Sequence, residues 1–316
     1  MEVTRITLSL IKYQKSKFKL LILLGLVIPI IFTNSIVSFA QKPAYKKVDL
    51  ELLSAARDGD VEKVKSALSA GANINIRDED DMSPLMRAVR YKHIKVVEAL
   101  IENNPQPNPL IFNKYGESAL MDAAWQGNMT LVLMVLKLEK AADSVRVADF
   151  RGNTILIRSI MGRNLDIIRM VLAMNKGAID KKNVEGETPL IWAVQGNYPE
   201  TVKMLLAADA KIETKDKKGR TPLITAAQSA AYSDVLQILL DAGDDVNKAD
   251  DLGKTALIYA VERVFNDRFL TKNRITTLLK AGANAYTKDK SGKSAIDYAK
   301  ETNNKYVLDL LTGLNQ

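Results

Sequence analysis

Apolar and polar positions recur along this chain in a pattern that repeats every 33 to 39 residues. The clearest copies read Gly-Glu-Thr-Pro-Leu at 186–190 and Gly-Arg-Thr-Pro-Leu at 219–223, and each is followed three residues later by Ala. A looser copy begins near Leu53. The seven clear copies end at Leu85, Leu120, Leu156, Leu190, Leu223, Leu257 and Ile296.

A second apolar cluster follows each copy with the three- and four-residue spacing of a helix, as at Val202, Leu205 and Leu206. Several units then end on Gly, as at Gly243 and Gly282. Ser and Thr are favoured helix N-caps, Pro fits the first helical position, and Gly allows a left-handed turn after a helix. Each unit is therefore predicted to contain a tight turn and two helices. Such a unit buries its apolar face only by stacking on its neighbours.

The pattern resembles the ankyrin repeat family, through 186–190 with Ala193 and through 219–223 with Ala226. The resemblance covers residues 49–313. It implies an all-α ankyrin-repeat solenoid of helix-turn-helix units with short β-hairpin loops. The eight expected repeats span 49–77, 78–112, 113–148, 149–182, 183–215, 216–249, 250–285 and 286–313.

Two features depart from the family pattern. The family usually has His directly after the Thr-Pro-Leu phrase, where it hydrogen-bonds toward the neighbouring hairpin. Here that polar link is absent, so we expect the units to depend more on apolar packing. Asp81 stands where the other hairpins have Gly, and Asp tolerates the left-handed conformation better than most residues. The residues at the usual His position are Met86, Met121, Ile157, Ile191, Ile224, Ile258 and Asp297.

The first forty residues have the features of a targeting segment. Five basic residues precede an uncharged apolar run at 20–32, and the small residues Ser38 and Ala40 precede Gln41. A run of 13 residues suits a signal peptide, whereas an extension to Ala40 gives 21 residues, near the ~20 that span a bilayer. We expect residues 1–40 to be a signal peptide cleaved after Ala40, followed by a short linker at 41–48. The alternatives are an uncleaved membrane anchor and a segment with neither role.

Composition removes most catalytic and metal chemistry. The chain has no Cys and a single His, His93, so thiolate zinc sites, Cys nucleophiles, disulfides and multi-His metal sites are excluded. A Ser-His-Asp triad would need His93, which the pattern puts in a turn between two helices. There is also no Gly-rich phosphate loop. We therefore predict no catalytic residues, no cofactor, no metal and no enzyme activity.

The charge is moderate once the N-terminal segment is set aside. The net charge is +8, but residues 1–40 hold five basic residues and one acidic residue, which leaves +4 on the rest. This value does not favour nucleic acid binding. The predicted hairpins change from acidic near 78–81 to basic at 217–220 and beyond. The gradient either steers a partner or is the ordinary charge of solvated loops.

The ankyrin resemblance implies that partner proteins contact the hairpin tips and the concave face of the first helices. Aromatic side chains at these positions are expected to form a patch on the second to fourth units, and exposed aromatic and Arg residues are common interface anchors. The patch is either a binding surface or packing between repeats. The predicted partner-binding residues are Tyr91, Tyr115, Trp125, Phe150, Arg151, Lys217, Lys218 and Arg220.

The expected function is that of an exported, monomeric, protein-binding scaffold without catalysis. The partner is an unidentified protein, and the only contact with a membrane is the N-terminal segment if it stays uncleaved. The bacterial periplasm or cell envelope is the expected location, with secretion or inner-membrane anchoring as alternatives. The alternative function is a membrane-tethered structural scaffold that organises envelope components.

Overall fold

The computed structural model describes residues 45–228, 233–262 and 268–313. The predicted signal or anchor segment lies outside these residues. The chain divides before Lys46, and the unit that begins there is compact. Across the described ranges, no helix has the length and hydropathy that a membrane span requires.

Sixteen α-helices in the described part of the chain alternate as the first and second helices of eight units. The first helices are α1 Lys47–Asp58, α3 Pro84–Arg90, α5 Ala119–Trp125, α7 Ile155–Met161, α9 Pro189–Gln195, α11 Pro222–Ala227, α13 Ala256–Glu262 and α15 Ala295–Glu301. The second helices are α2 Val61–Ser69, α4 Ile94–Ile101, α6 Met129–Leu136, α8 Leu165–Met174, α10 Pro199–Ala207, α12 Ser233–Asp241, α14 Arg268–Lys280 and α16 Lys305–Thr312. Two 3₁₀ helices, Ala141–Arg146 and Lys176–Ala178, follow the second helices of the third and fourth units.

The helices stack in two layers with the core between them. Every first helix contacts the first helix of the next unit, and most second helices do the same. The Leu that ends each phrase is fully buried, as at Leu190, and so is the Ala three residues later, as at Ala193. Because Ala is small, adjacent first helices approach closely. The predicted all-α solenoid is confirmed.

The predicted helix caps are present. Ser118 Oγ accepts a hydrogen bond from the backbone N–H of Met121 at 3.2 Å, and Thr221 Oγ1 accepts one from Ile224 at 3.2 Å. Each hydroxyl satisfies an N–H that has no partner inside its helix. Asp81 takes the left-handed conformation with φ 60°, as expected for a residue that replaces a hairpin Gly.

The hairpins form turns and do not extend into strands. In the described ranges the only β-pairing is three isolated antiparallel bridges, such as Ala148 with Thr154. The tips are instead joined from unit to unit by backbone hydrogen bonds. Phe150 N donates to Tyr115 O at 3.0 Å, and Lys217 N donates to Glu185 O at 2.9 Å. A Cβ at Gly186 would lie 2.8 Å from Lys217 N, so this close approach requires glycine.

The positions where the family usually has His are packed into the core. Six of them hold Met or Ile side chains that are at most 1% exposed, which confirms the expected apolar packing. In the last unit, Asp297 instead accepts a hydrogen bond from the backbone of Ser294 and completes a capping box. That polar exchange suits the final unit, which has no neighbour beyond it in the described chain.

Candidate functional site

A cleft of about 1120 Å³ lies where the hairpins of units three to five meet helices α3 to α9. We call it the inner cleft. Its floor comes from the first helices and its rim from the hairpin tips. The lining residues are Arg90, Tyr115, Glu117, Asp122, Trp125, Asp149, Phe150, Arg151, Asn153, Arg158, Met161, Asn183, Val184, Glu185, Glu187 and Trp192.

Four of the predicted binding residues line the inner cleft. Tyr115, Phe150 and Arg151 reach it from two hairpin tips, and Trp125 reaches it from the end of α5. Phe150 is 74% exposed, Tyr115 55% and Trp125 50%. These rings are not packed into the core, so the surface alternative describes them better than the packing alternative. Their role in binding stays a prediction.

Tyr91 is not among the residues that line the cleft. It is the C-cap of α3, and its ring stacks on His93 with the centroids 6.2 Å apart. The inner position of that helix belongs to Arg90, which is the repeat equivalent of Trp125. One residue along a helix is a rotation of about 100°, so Arg90 and Tyr91 point in different directions. A role of Tyr91 in partner binding stays a prediction.

The three predicted basic residues of unit six lie outside the cleft lining. Lys217 and Lys218 are exposed at the hairpin tip. Arg220 points back to its own unit, where its guanidinium lies 2.6 Å from Asp216 Oδ2 and donates to Gln228 at 3.0 Å. The structure thus separates the predicted residues into a cleft set and a set of basic tips.

Charged side chains form an ionic floor across units two to four. Arg90 lies 2.9 Å from Glu117 and 3.0 Å from Asp122, both in the next unit. Arg158 pairs with Glu117 and lies 2.5 Å from Asp149. Two guanidiniums thus bridge three carboxylates, and each carboxylate has a cationic neighbour. These five residues stay paired inside the protein.

Burial and ion pairing have opposite effects on the pKa values of two carboxyls in this floor. Burial raises the pKa of Asp122 despite the facing guanidinium of Arg90. Burial acts in the same direction on Glu117, but the hydrogen bond from Asn113 and the charges of Arg158 and Arg90 outweigh it and lower the pKa of that carboxyl. Glu117 therefore carries its charge at neutral pH, and the bridge between the units is ionic.

A second hydrogen-bond pattern links the hairpin to the first helix in units two, four, seven and eight. In these units the hairpin Asp accepts a hydrogen bond from the residue two positions after the phrase-ending Leu or Ile. Asp149 accepts from Arg158 Nε at 3.1 Å, and Asp250 accepts from the Tyr259 hydroxyl at 2.6 Å. In unit eight, the Tyr298 hydroxyl donates to Asp289 at 2.7 Å.

Unit five breaks this pattern. Its hairpin residue is Asn183, whose Oδ1 accepts from the backbone N–H groups of Glu185 and Glu187 and whose Nδ2 is a donor. The equivalent helix residue is Trp192, which is also a donor. Two donors cannot satisfy each other. The indole N–H of Trp192 is accordingly buried without a hydrogen-bond partner within the described structure.

Glu187 adds an uncompensated charge beside Trp192. Its carboxylate accepts from Asn183 Nδ2 at 2.9 Å and from Gln195 Nε2 at 2.7 Å, both of which are neutral. No ion pair to Glu187, Glu185 or Arg151 is formed within the ranges that the structure describes. The lining as a whole holds five carboxylates and three guanidiniums, so the inner cleft is acidic.

Sequence reasoning missed the ionic floor, Glu187 and the position of Trp192 in the cleft. The repeat register contains part of the signal, because Trp192 stands two positions after its phrase, where four other units place a donor to the hairpin Asp. Unit five has Asn183 at that hairpin position. The described residues contain no group of three or more His, Asp or Glu side chains that fits a metal ion.

Comparisons with known proteins agree with this architecture. A family model described as ankyrin repeats, three copies, matches residues 52–148, 138–216 and 208–268. The Caenorhabditis elegans proteins lin-12 and glp-1 match at 29% identity over 119 residues and 30% over 114 residues. These matches take in 37% and 35% of this chain but only 8% of either relative.

One solved structure is similar over a larger share of its length. It is described as the Bd0816 predatory endopeptidase from Bdellovibrio bacteriovorus in complex with immunity protein Bd3460. A chain of that structure matches at 31% identity with a TM-score of 0.53, over 61% of this chain and 96% of that one. With a family model that matches most of its length and a two-layer stack of paired helices, this chain belongs to the ankyrin repeat family.

Proposed function

We propose that this chain is an exported scaffold that recognises a partner protein through the inner cleft and the adjoining hairpin tips, without catalysing a reaction. Ankyrin repeats indicate a protein-interaction scaffold, and members of the family are typically non-catalytic. The observation that carries the proposal is the set of exposed rings of Tyr115, Trp125 and Phe150 around one acidic cleft. Rigid aromatic anchors on a preformed surface are typical of protein interfaces.

The binding part of the proposal is tested by capture with matched variants. The full-length chain with a C-terminal tag is incubated with the envelope fraction of its source cells, and retained proteins are identified. Phe150→Ala removes a cleft anchor, and Tyr286→Ala removes a ring of similar exposure, 70%, in unit eight. We expect Phe150→Ala to weaken capture at least tenfold, the scale of a hot-spot residue, and Tyr286→Ala to have little effect. Equal capture by both variants would contradict the cleft as the binding surface.

Export rests on the basic residues, the apolar run at 20–32 and the small residues before Gln41. N-terminal sequencing of the protein from its source cells separates the alternatives. A start at Gln41 supports a cleaved signal peptide and a periplasmic or secreted scaffold. A start at Met1 in the membrane fraction supports the membrane-tethered scaffold. A start at Met1 in the cytoplasm contradicts both.

A second candidate function comes from the solved complex. Its title pairs an endopeptidase with an immunity protein, and one of its chains matches this chain over 96% of that chain's length. By analogy, the partner of this chain is an exported enzyme that the array binds and blocks. The test measures the hydrolase activity of the captured partner with increasing amounts of the purified chain. Inhibition at a one-to-one ratio supports this function, and unchanged activity with bound chain rejects it.

A further inference from the structure

The wall of the inner cleft in unit five carries a carboxylate that the protein leaves without a counter-charge. The Glu187 carboxylate is half-buried and receives hydrogen bonds only from neutral amides. The indole N–H of Trp192, in the same lining, is buried with no acceptor in the described structure and is closed to solvent. Glu187 is therefore the group of this wall that a cationic partner can reach.

The charges around the cleft favour a cationic occupant over an anionic one. The guanidiniums of Arg90 and Arg158 are already bound to the carboxylates of the ionic floor. That leaves Arg151 as the cation without an ion pair against Glu185 and Glu187, all within the described cleft lining. An anionic side chain entering here would meet an excess of carboxylates. A cationic one would restore the balance.

The cleft walls also suit a cation. Trp125 and Phe150 present aromatic rings that are half or more exposed. A guanidinium or ammonium within about 6 Å of an aromatic ring centre is attracted by the negative face of the ring, most strongly for Trp. The array uses this contact elsewhere: Arg163 lies 4.8 Å from the ring centre of Tyr198, and Lys254 lies 4.9 Å from that of Tyr298. The rings of the inner cleft hold no such cation among the described contacts except Lys114 over Tyr115, at 5.2 Å.

We infer that the inner cleft binds an arginine or lysine side chain of the partner protein, with Glu187 as its ionic partner and Trp125 and Phe150 as its aromatic walls. This inference rests on the proposed function, because it names the chemistry of the partner at the same cleft.

The chain provides its own reporter for this binding. It has only two tryptophans, Trp125 and Trp192, and both line the inner cleft. Intrinsic fluorescence and the two indole ¹H–¹⁵N signals therefore report on the cleft alone. The probes are three capped peptides, acetyl-Gly-Gly-X-Gly-Gly-amide, in which X is arginine, its neutral isostere citrulline, or glutamate. They are titrated into the purified full-length chain at low salt.

We expect the arginine peptide to bind at least fivefold more tightly than the citrulline peptide, and the glutamate peptide to bind weakest. Glu187→Gln should erase the preference for arginine over citrulline. Glu200→Gln is the matched control, because it removes a carboxylate of the same unit that lies on the second helix α10, outside the cleft. Trp192→Phe keeps an aromatic ring and removes an N–H that is closed to solvent, so this variant should retain the preference for arginine over citrulline.

Three outcomes would overturn the inference: equal binding of the three peptides, preference for the glutamate peptide, or a Glu187→Gln variant that behaves like Glu200→Gln. No change in either indole signal would overturn it as well. The proposed function is judged separately by partner capture with Phe150→Ala. If Phe150→Ala loses capture while the three peptides bind equally, the cationic occupant is rejected and the scaffold function is still supported.

Discussion

Units two to five differ from units seven and eight in the partners of the side chains at the same repeat positions. In the early units, Arg90 and Arg158 reach carboxylates of neighbouring units, and unit five leaves Trp192 and Glu187 without matching partners. In the last two units the same positions form pairs within one unit. The Tyr259 and Tyr298 hydroxyls donate to the hairpin Asp of their own unit. In both units the Lys that follows the hairpin Gly also pairs with the Glu at the end of the first helix.

This difference is the reason we propose the inner cleft, rather than the last units, as the binding surface. A surface whose polar groups are paired internally has little to gain from a partner, because a new hydrogen bond must replace an existing one. A surface with an uncompensated carboxylate gains an ionic hydrogen bond when a cationic group binds. The repeat fold holds both kinds of surface on one scaffold, and the side chains at two or three positions of each unit decide between them.

The largest expected effect concerns the ionic floor. Arg158→Met removes the cation from two carboxylates whose side chains are 14% and 1% exposed, Glu117 and Asp149. Breaking a buried pair by removing one partner costs about 3–5 kcal/mol. We expect the free energy of unfolding, from urea denaturation at pH 7, to fall by about this amount. Lys293→Met is the control, because its pair with Glu301 is exposed and such pairs contribute about 1 kcal/mol or less. Equal losses for the two variants would remove the contrast between the regions.

A medium effect concerns Asp244 in unit six, between the two regions. Its backbone N–H donates to Leu239 O, and Ala72, Ala210 and Ala283 make the equivalent bond in their units, so Asp244 replaces the usual Ala. Its Oδ2 accepts from Leu223 N at 3.1 Å, whereas Oδ1 is buried without a hydrogen-bond partner in the described chain. Burial raises the pKa of Asp244 to about 6.

The raised pKa means that the folded state holds this proton more tightly than the unfolded chain. Both states are protonated below about pH 4, so stability should fall as the pH rises from about 4 to 6, and the full penalty applies at pH 7.5. Asp244→Ala should therefore raise the free energy of unfolding by about 1–2 kcal/mol at pH 7.5, because the penalty exceeds the lost bond to Leu223 N. At pH 4 the variant should gain nothing. The same change in stability at both pH values would contradict this assignment.

The smallest expected effect concerns the hydrogen bond from Tyr298 to Asp289 in the last unit. Burial acts to raise the pKa of Asp289, but hydrogen bonds from Ser291, from the Tyr298 hydroxyl and from the backbone hold it at about 2. Stability from this carboxylate is present above about pH 4 and is lost as the pH falls toward 2. Tyr298→Phe should lower stability by about 1 kcal/mol at pH 7 and raise the pKa of Asp289, measured by carboxyl-carbon NMR. An unchanged pKa would show that the hydroxyl does not contribute.

The fold was largely predictable, since its signals are local. Ser118 and Thr221 cap their helices as expected, Asp81 takes the left-handed conformation, and the apolar clusters form the core. The predicted β-hairpins appear as turns, with three isolated bridges in the described ranges. Tyr91 is not in the lining of the inner cleft, whereas Arg90, one residue earlier, is.

The repeat units, their caps and the apolar stacking could be read from the sequence, because each depends on residues close together in the chain. Which inner side chains are paired and which lack a counter-charge depends on the packing of the units. Arg158 meets Glu117 across 41 positions of sequence, and Trp192 lacks an acceptor because the nearest hairpin offers Asn183 where its neighbours offer Asp. Such pairings depend on the distance and angle between stacked units. The charge of the inner cleft is therefore visible only when the repeats are packed together.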